Sequence, residues 1–133
     1  MRFKDALKAE LDQRRASHLA YSLRRFARVL GVHHTTASRL LQKSGPVPER
    51  SIRAIGKRLG LEEAAIEGLC VVERDEAVLA AIEQAGFRPA TRWISSAAGI
   101  PVDQVNIALQ ALIRTGRLRM ASAKRWDTRR DAA

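Results

Sequence analysis

The chain has 133 residues, 46% of them apolar, and its 24 Lys and Arg outnumber its 14 Asp and Glu to give a net charge of +10. The apolar fraction is high enough for a folded core, the single cysteine, Cys70, excludes an intrachain disulfide, and no apolar run approaches the ~18 residues of a membrane span. The partner classes that remain are nucleic acids, acidic proteins and anionic surfaces.

Five short helices are predicted in the first 70 residues, from apolar residues that recur every three or four positions. In chain order they cover about residues 2–15, 23–30, 33–42, 48–59 and 62–69. Ser22 is a candidate N-cap for the second helix, whereas Gly31 and Gly60 are stop signals and Pro48 suits a first turn. These elements leave no obvious place for a sheet in this half of the chain.

Three further helices are predicted after Val72, the first of them through Val78, Leu79 and Ile82. Their boundary residues are, in chain order, Gly86 as stop, Thr91 as cap, Gly99 as stop, Pro101 as start and Gly116 as stop. Alternating apolar and charged residues at 118–120 indicate a short strand, with a second near Trp126. The chain is therefore predicted to be mainly all-α with one short β-hairpin, divided into domains 1–70 and 71–126 and a basic tail 127–133.

The positive charge is unevenly distributed along the chain. Residues 1–60 carry a net charge of +10, residues 61–90 carry −5 and residues 91–133 carry +5. An acidic segment between two basic ones indicates two charged modules joined by a segment that faces something other than a polyanion. The alternative interpretation is ordinary variation among charges that face solvent.

Residues 23–42, LRRFARVLGVHHTTASRLLQ, carry a helix-turn-helix pattern. Ala27 is small where two helices would cross, and Gly31 suits a tight turn because glycine tolerates positive φ. Five apolar side chains would seal the helix pair against a core: Phe26, Leu30, Val32, Ala37 and Leu40. With its neighbours, over residues 3–69, the segment resembles the five-helix DNA-binding domain of the lambda-repressor and Cro type. Its amino-acid sequence is also similar to the N-terminal part of bacterial regulators that join such a domain to further helical segments.

This resemblance implies that the helix at about 33–42 is a recognition helix, whose outward side chains reach base edges in the major groove. Members commonly begin this helix with Ser or Thr, where this chain has His33 and His34. The implied base contacts are His34, Thr35, Thr36, Ser38, Arg39 and Gln42, of which Arg39 suits guanine and Gln42 suits adenine. The implied phosphate contacts are Arg24, Arg25, Arg28, His33, Lys43, Arg50 and Arg53. The alternative for all of them is a solvated helix face.

A second, weaker pattern covers residues 92–111, RWISSAAGIPVDQVNIALQA, and with the trailing hairpin it resembles winged-helix domains. The helix that corresponds to the recognition helix exposes one acid and no base, in Asp103, Gln104, Asn106, Ile107 and Gln110. Basic residues collect beyond it instead, and the candidate wing contacts are Arg114, Arg117, Arg119, Lys124 and Arg125. Three uses of this module remain open: DNA contact through the wing, homodimer formation, and contact with another regulatory protein.

No catalytic constellation is found. A solvated acidic helix face explains the three acids that include the four-residue spacing of a ligand pair on a helix: Glu62, Glu63 and Glu67. His33 and His34 are adjacent and point to different sides of a helix, and the glycines form no phosphate-binding loop. Cys70 lies among apolar neighbours and is expected to be a buried small hydrophobe. We therefore expect a protein without enzymatic activity, metal or cofactor.

The function expected from these patterns is that of a bacterial or phage transcription regulator, cytoplasmic and nucleoid-associated, which binds double-stranded DNA sequence-specifically. Two alternatives use the same scaffold differently. One is a protein-interaction adaptor or inhibitor, favoured by the acidic 61–90 segment, and the other is a non-specific DNA-packaging protein.

Overall fold

A computed structural model describes residues 1–43 and 45–130. The described residues are mainly helical, with one small antiparallel sheet, so the mainly all-α prediction is confirmed at this level. The elements are α1 (Phe3–Ser17), α2 (Leu23–Leu30), α3 (His34–Gln42), α4 (Glu49–Arg58), α5 (Glu63–Ile82), α6 (Thr91–Ala98), α7 (Val102–Arg114), β1 (Leu118–Met120) and β2 (Trp126–Thr128). Of the tail predicted at 127–133, residues 131–133 lie outside the described residues.

The chain divides into two units after Glu73, so that the division falls inside α5. The first unit contains α1 to α4 and the start of α5. Its core collects side chains from every one of these helices: Phe3, Leu7, Leu11, Phe26, Ala27, Leu30, Ala37, Leu41, Ile52, Ile55 and Ile66. They recur at three- and four-residue spacing along each helix, and each large one contributes about 1.5–3 kcal/mol by leaving water.

Local signals set both ends of α2. The Ser22 hydroxyl oxygen accepts a hydrogen bond from the Arg25 backbone N–H at 3.1 Å, which is the predicted N-cap. Gly31 ends the helix with φ of 75°. The Arg58 guanidinium donates to the carbonyl oxygens of Val29 at 3.0 Å and of Arg28 at 3.1 Å, so α4 supplies a cation to the last carbonyls of α2.

The prediction of separate helices at 62–69 and around Val78 is wrong, because α5 continues without a break for 20 residues. The apolar pattern lapses at residues 73–76, ERDE, which lie between the two predicted helices. Two of these acids, Glu73 and Glu76, are buried and paired with arginines, so charged side chains occupy core-facing positions of one helix. Neither glycine nor proline occurs between residues 69 and 82 to end it.

Glu73 of α5 contacts two segments of the first unit that are distant in the sequence. Its side chain is only 2% exposed, and its carboxylate accepts a hydrogen bond from the Arg2 Nε at 2.5 Å. The same carboxylate accepts the Val47 backbone N–H at 3.1 Å. The start of α1 and the segment between α3 and α4 are therefore both bound to α5.

The second unit packs the end of α5 against α6, α7 and the hairpin. Its core consists of Val78, Leu79, Ala81, Ile82, Ile94, Val105, Ala108, Leu109, Leu112 and Leu118. The two strands pair antiparallel with Leu118 opposite Thr128 and Met120 opposite Trp126, which confirms the predicted hairpin. The predicted Thr91 cap is wrong, since Ala90 precedes α6 and no side chain caps this helix.

Within residues 1–43 and 45–130, no helix is both long enough and apolar enough to cross a membrane.

Candidate nucleic-acid interface

Helix α3 begins with a histidine cap. His33 occupies the N-cap position, and its Nδ1 accepts a hydrogen bond from the Thr35 backbone N–H at 3.3 Å. The Thr35 hydroxyl oxygen also lies 2.8 Å from this nitrogen. His33 thus does for α3 what Ser22 does for α2, and its ring is held at the helix start rather than extended toward a phosphate.

The outer face of α3 presents a stripe of polar side chains. Thr35, Arg39 and Gln42 are exposed and follow one another at steps of four and three residues, which places them on one side of the helix. Ser38 and Thr36 are half-buried and flank this stripe on opposite edges. The structure therefore brings together three of the six predicted base contacts and leaves Ser38 and Thr36 at the margins.

His34 lies at the junction of the two helices. Partial loss of water around its ring lowers the pKa of His34 below the usual 6.5, and the charges of Arg24 and His33 lower it further. The ring is consequently uncharged near neutral pH and can act as a neutral hydrogen-bonding group.

Exposed arginines line α2 beside this stripe. Arg24, Arg25 and Arg28 all reach solvent, and the Arg25 guanidinium lies over the Tyr21 ring, 5.2 Å from its centroid. Stacking of this kind orders the side chain while its donors stay available. These three predicted phosphate contacts therefore lie together on one helix.

The remaining predicted phosphate contacts differ in their surroundings. Lys43, directly after α3, and Arg50 on α4 are exposed. Arg53 instead bonds to the carboxylates of Glu49 at 2.7 Å and Glu67 at 2.5 Å, and these two bonds raise the pKa of Arg53 above its ordinary value. Because Glu63 lies 3.2 Å away as well, Arg53 belongs to an acidic group and we leave it out of the interface.

Helix α1 contributes residues that the sequence interpretation overlooked. Lys8 and Arg15 line an open groove of about 530 Å³ together with Ser38 and Gln42 of α3. Asp12 also borders this groove, and Leu11, Leu23 and Leu41 complete its lining. The signal was present in the seven-residue separation of Lys8 and Arg15, which places two cations on one face of a helix.

Charge is segregated in this part of the chain. Residues 13–48 contain seven Arg and Lys and neither Asp nor Glu. This segment includes α2, the Gly31 turn and all of α3. The side chains of this segment attract polyanions and include no carboxylate, although Asp12 of α1 borders the groove beside Gln42.

The candidate wing residues of the second unit differ in their surroundings. Arg117 is turned toward buried Glu76, with its Nη2 at 2.7 Å from the carboxylate, and Arg130 pairs with the same acid. Arg125 lies 3.4 Å from Asp127. Exposed cations remain at Arg114, Arg119 and Lys124.

In the parts of the chain that the structure describes, no three His, Cys, Asp or Glu side chains lie close enough together to hold a metal ion. Cys70 is buried as predicted, and its burial raises the pKa of the thiol.

Comparison with protein families, with curated proteins and with solved structures yields no match to this chain.

Proposed function

We propose that the first unit binds duplex DNA sequence-specifically, with α2 and α3 acting as a helix-turn-helix and α3 lying in the major groove. The observation that carries this proposal is the pair of capped helices, joined at Gly31, within a segment that contains seven cations and no acid. The exposed stripe of Thr35, Arg39 and Gln42 supplies donors and acceptors of the kind that read base edges. A protein with this activity is suited to regulating transcription.

Base reading and phosphate binding fall to different residues in this proposal. Arg39 pairs bidentately with a guanine and Gln42 with an adenine, each contact contributing about 1–3 kcal/mol of discrimination. Arg24, Arg25 and Arg28 bind phosphates beside the groove, as do Lys43, directly after α3, and Arg50 on α4. Lys8 and Arg15 extend the phosphate-binding surface along α1, where their positions border the same groove as Gln42.

The proposal is tested by selecting a duplex from a random pool and comparing its affinity with that of unselected DNA. We expect the chain to prefer the selected duplex by ~10³-fold or more. Arg39→Ala and Gln42→Ala should each weaken the selected complex by about 10- to 100-fold while binding to unselected DNA changes little. Arg53→Ala is the matched control, because it removes an arginine that is bound to carboxylates outside the interface.

Repeating these affinity measurements over a range of salt concentrations distinguishes the competing functions. Seven phosphate contacts give a log–log salt slope of about −6, at −0.9 per phosphate. A slope of that size with no preference for the selected duplex would assign the chain to DNA packaging and contradict base reading by α3. Weak, salt-insensitive binding to every duplex would assign it to protein interaction.

A further inference from the structure

Helix α7 has an outward face, around Ile107, that the second unit does not cover. Ile107 is 48% exposed, whereas Val102, at 40%, and Ile113, at 46%, lie beside the buried side of the helix. The opposite face of the helix is buried in the core through Val105 and Leu112. A single exposed isoleucine is ordinary on a protein surface, so an interaction at this face depends on the charges beside it.

Two opposite charges stand at the ends of this face. Asp103 in the first turn and Arg114 at the last position of α7 are both exposed, and within the described residues neither forms an ion pair. Eleven residues separate them, which is about three turns or ~16 Å along the axis, so they lie on one side of the helix. Ile107 and Gln110 occupy the same stripe between them.

This arrangement is complementary to itself. When a second α7 lies antiparallel against the first, each Asp103 meets the Arg114 of the other copy. Each Ile107 then lies opposite the Gln110 of the other copy. A two-fold axis satisfies both contacts at once, as an isologous interface requires. We propose that α7 is a homodimer contact, formed by antiparallel pairing of this stripe with that of a second copy of the chain.

The charges on this face favour a second copy over DNA. Between Asp103 and Arg114 the exposed side chains of α7 are neutral, including Asn106 and Gln110, and the face as a whole carries no net charge. A helix that enters a groove of DNA gains by presenting cations, whereas an acid in its first turn repels phosphate. A neutral, self-complementary stripe on a chain of net charge +10 lets two copies meet without charge repulsion at the contact.

The expected dimer is weak. A helix of 13 residues is about 20 Å long, and pairing one face of it buries less than the ~1,200 Å² of a stable complex. We therefore expect self-association with a dissociation constant on the order of 10⁻⁴ M in the absence of DNA. Two copies held this way would suit a two-fold symmetric DNA site.

Sedimentation equilibrium of the full chain without DNA tests the proposal at ~50 mM salt, where exposed charges are little screened. The unaltered chain should self-associate. Asp103→Arg and Arg114→Asp should each weaken association about 10-fold, because symmetry makes every substitution act twice. The double variant, which exchanges the two charges, should regain association to within about 3-fold of the unaltered chain. Arg92→Asp makes the same charge change as Arg114→Asp at an exposed position of α6, and it should have no effect beyond the general one of net charge.

Circular dichroism of each variant verifies that the exposed substitutions leave the fold intact. A chain that stays monomeric up to ~1 mM, or single variants that associate as well as the unaltered chain, would overturn the proposal. Loss in both single variants without recovery in the double variant would overturn the antiparallel pairing. Because no DNA is present, each of these results is independent of base reading by α3.

Discussion

At the scale of single residues, the ion-pair partners of charged side chains decide roles that residue spacing in the sequence does not predict. Glu73 is a core residue because Arg2 and the Val47 backbone N–H bind its carboxylate. Arg53 and Arg117 look like phosphate contacts in the sequence, yet both are bound to carboxylates in the structure. Glu49 is four residues from Arg53, so this one pair could have been read from helical spacing. Glu67 is 14 residues from Arg53 and Glu76 is 41 from Arg117, and no local pattern predicts those two pairs.

His34 gives a titration test of the junction between α2 and α3. Its lowered pKa means that the folded chain disfavours the protonated ring, so its contribution to stability is complete above pH ~6.5 and declines as the pH falls below that value. We expect an NMR titration of the His34 ring to show a midpoint below 6.5. Arg24→Ala should raise that midpoint by removing a nearby positive charge.

Arg50→Ala is the control for this titration, because Arg50 is an exposed arginine on α4 and is not among the causes of the His34 shift. An unchanged midpoint in Arg24→Ala would show that the start of α2 does not lie near the ring.

At the scale of the helices, the ends of α2 depend on local chemistry that the sequence makes visible. Ser22 and Gly31 were predicted from residue type alone, since a short hydroxyl side chain caps a helix and glycine accepts positive φ. The histidine cap of α3 was not predicted as such, although His33 stands where a Ser or Thr was expected. The length of α5 was mispredicted because paired acids in the core resemble a loop in a hydropathy pattern.

Gly31 is predicted to be more sensitive to substitution than other glycines with positive φ. A Cβ at this position would lie 2.5 Å from the Arg58 Nε, so the Arg58 side chain would have to shift and lose its bonds to α2. Gly31→Ala should therefore cost about 1 kcal/mol for the backbone and a further ~1 kcal/mol for those hydrogen bonds. Gly60→Ala is the control, because Gly60 has the same kind of φ, 76°, and open space around it.

Urea unfolding followed by far-ultraviolet circular dichroism measures both variants, since both tryptophans, Trp93 and Trp126, lie in the second unit and do not report on the first. Equal losses of stability at Gly31 and Gly60 would contradict the role given to Arg58. In an Arg58→Ala background the two substitutions should cost the same.

At the scale of the whole molecule, the sequence is sufficient for the helical class, the hairpin and most helix ends, because each depends on short-range spacing. The sequence is insufficient to predict which arginines are paired with carboxylates and which are unpaired at the surface, because that depends on where distant acids lie. The net charge of +10 becomes informative only when it is mapped: the segment 13–48 is free of acids, whereas Arg53, Arg117 and Arg130 are offset by carboxylates. The first unit thus presents one basic surface, and α7 of the second presents a neutral one.

The central claim is that α3 reads bases, and a cycle of protein and DNA changes tests it most directly. In the selected duplex, replacing the guanine assigned to Arg39 should weaken binding of the unaltered chain by about 10- to 100-fold. The same base replacement should cost Arg39→Ala almost nothing, because the contact is already lost. If the base replacement weakens binding of Arg39→Ala as much as it weakens binding of the unaltered chain, another part of the chain reads the DNA and the assignment of α3 is wrong.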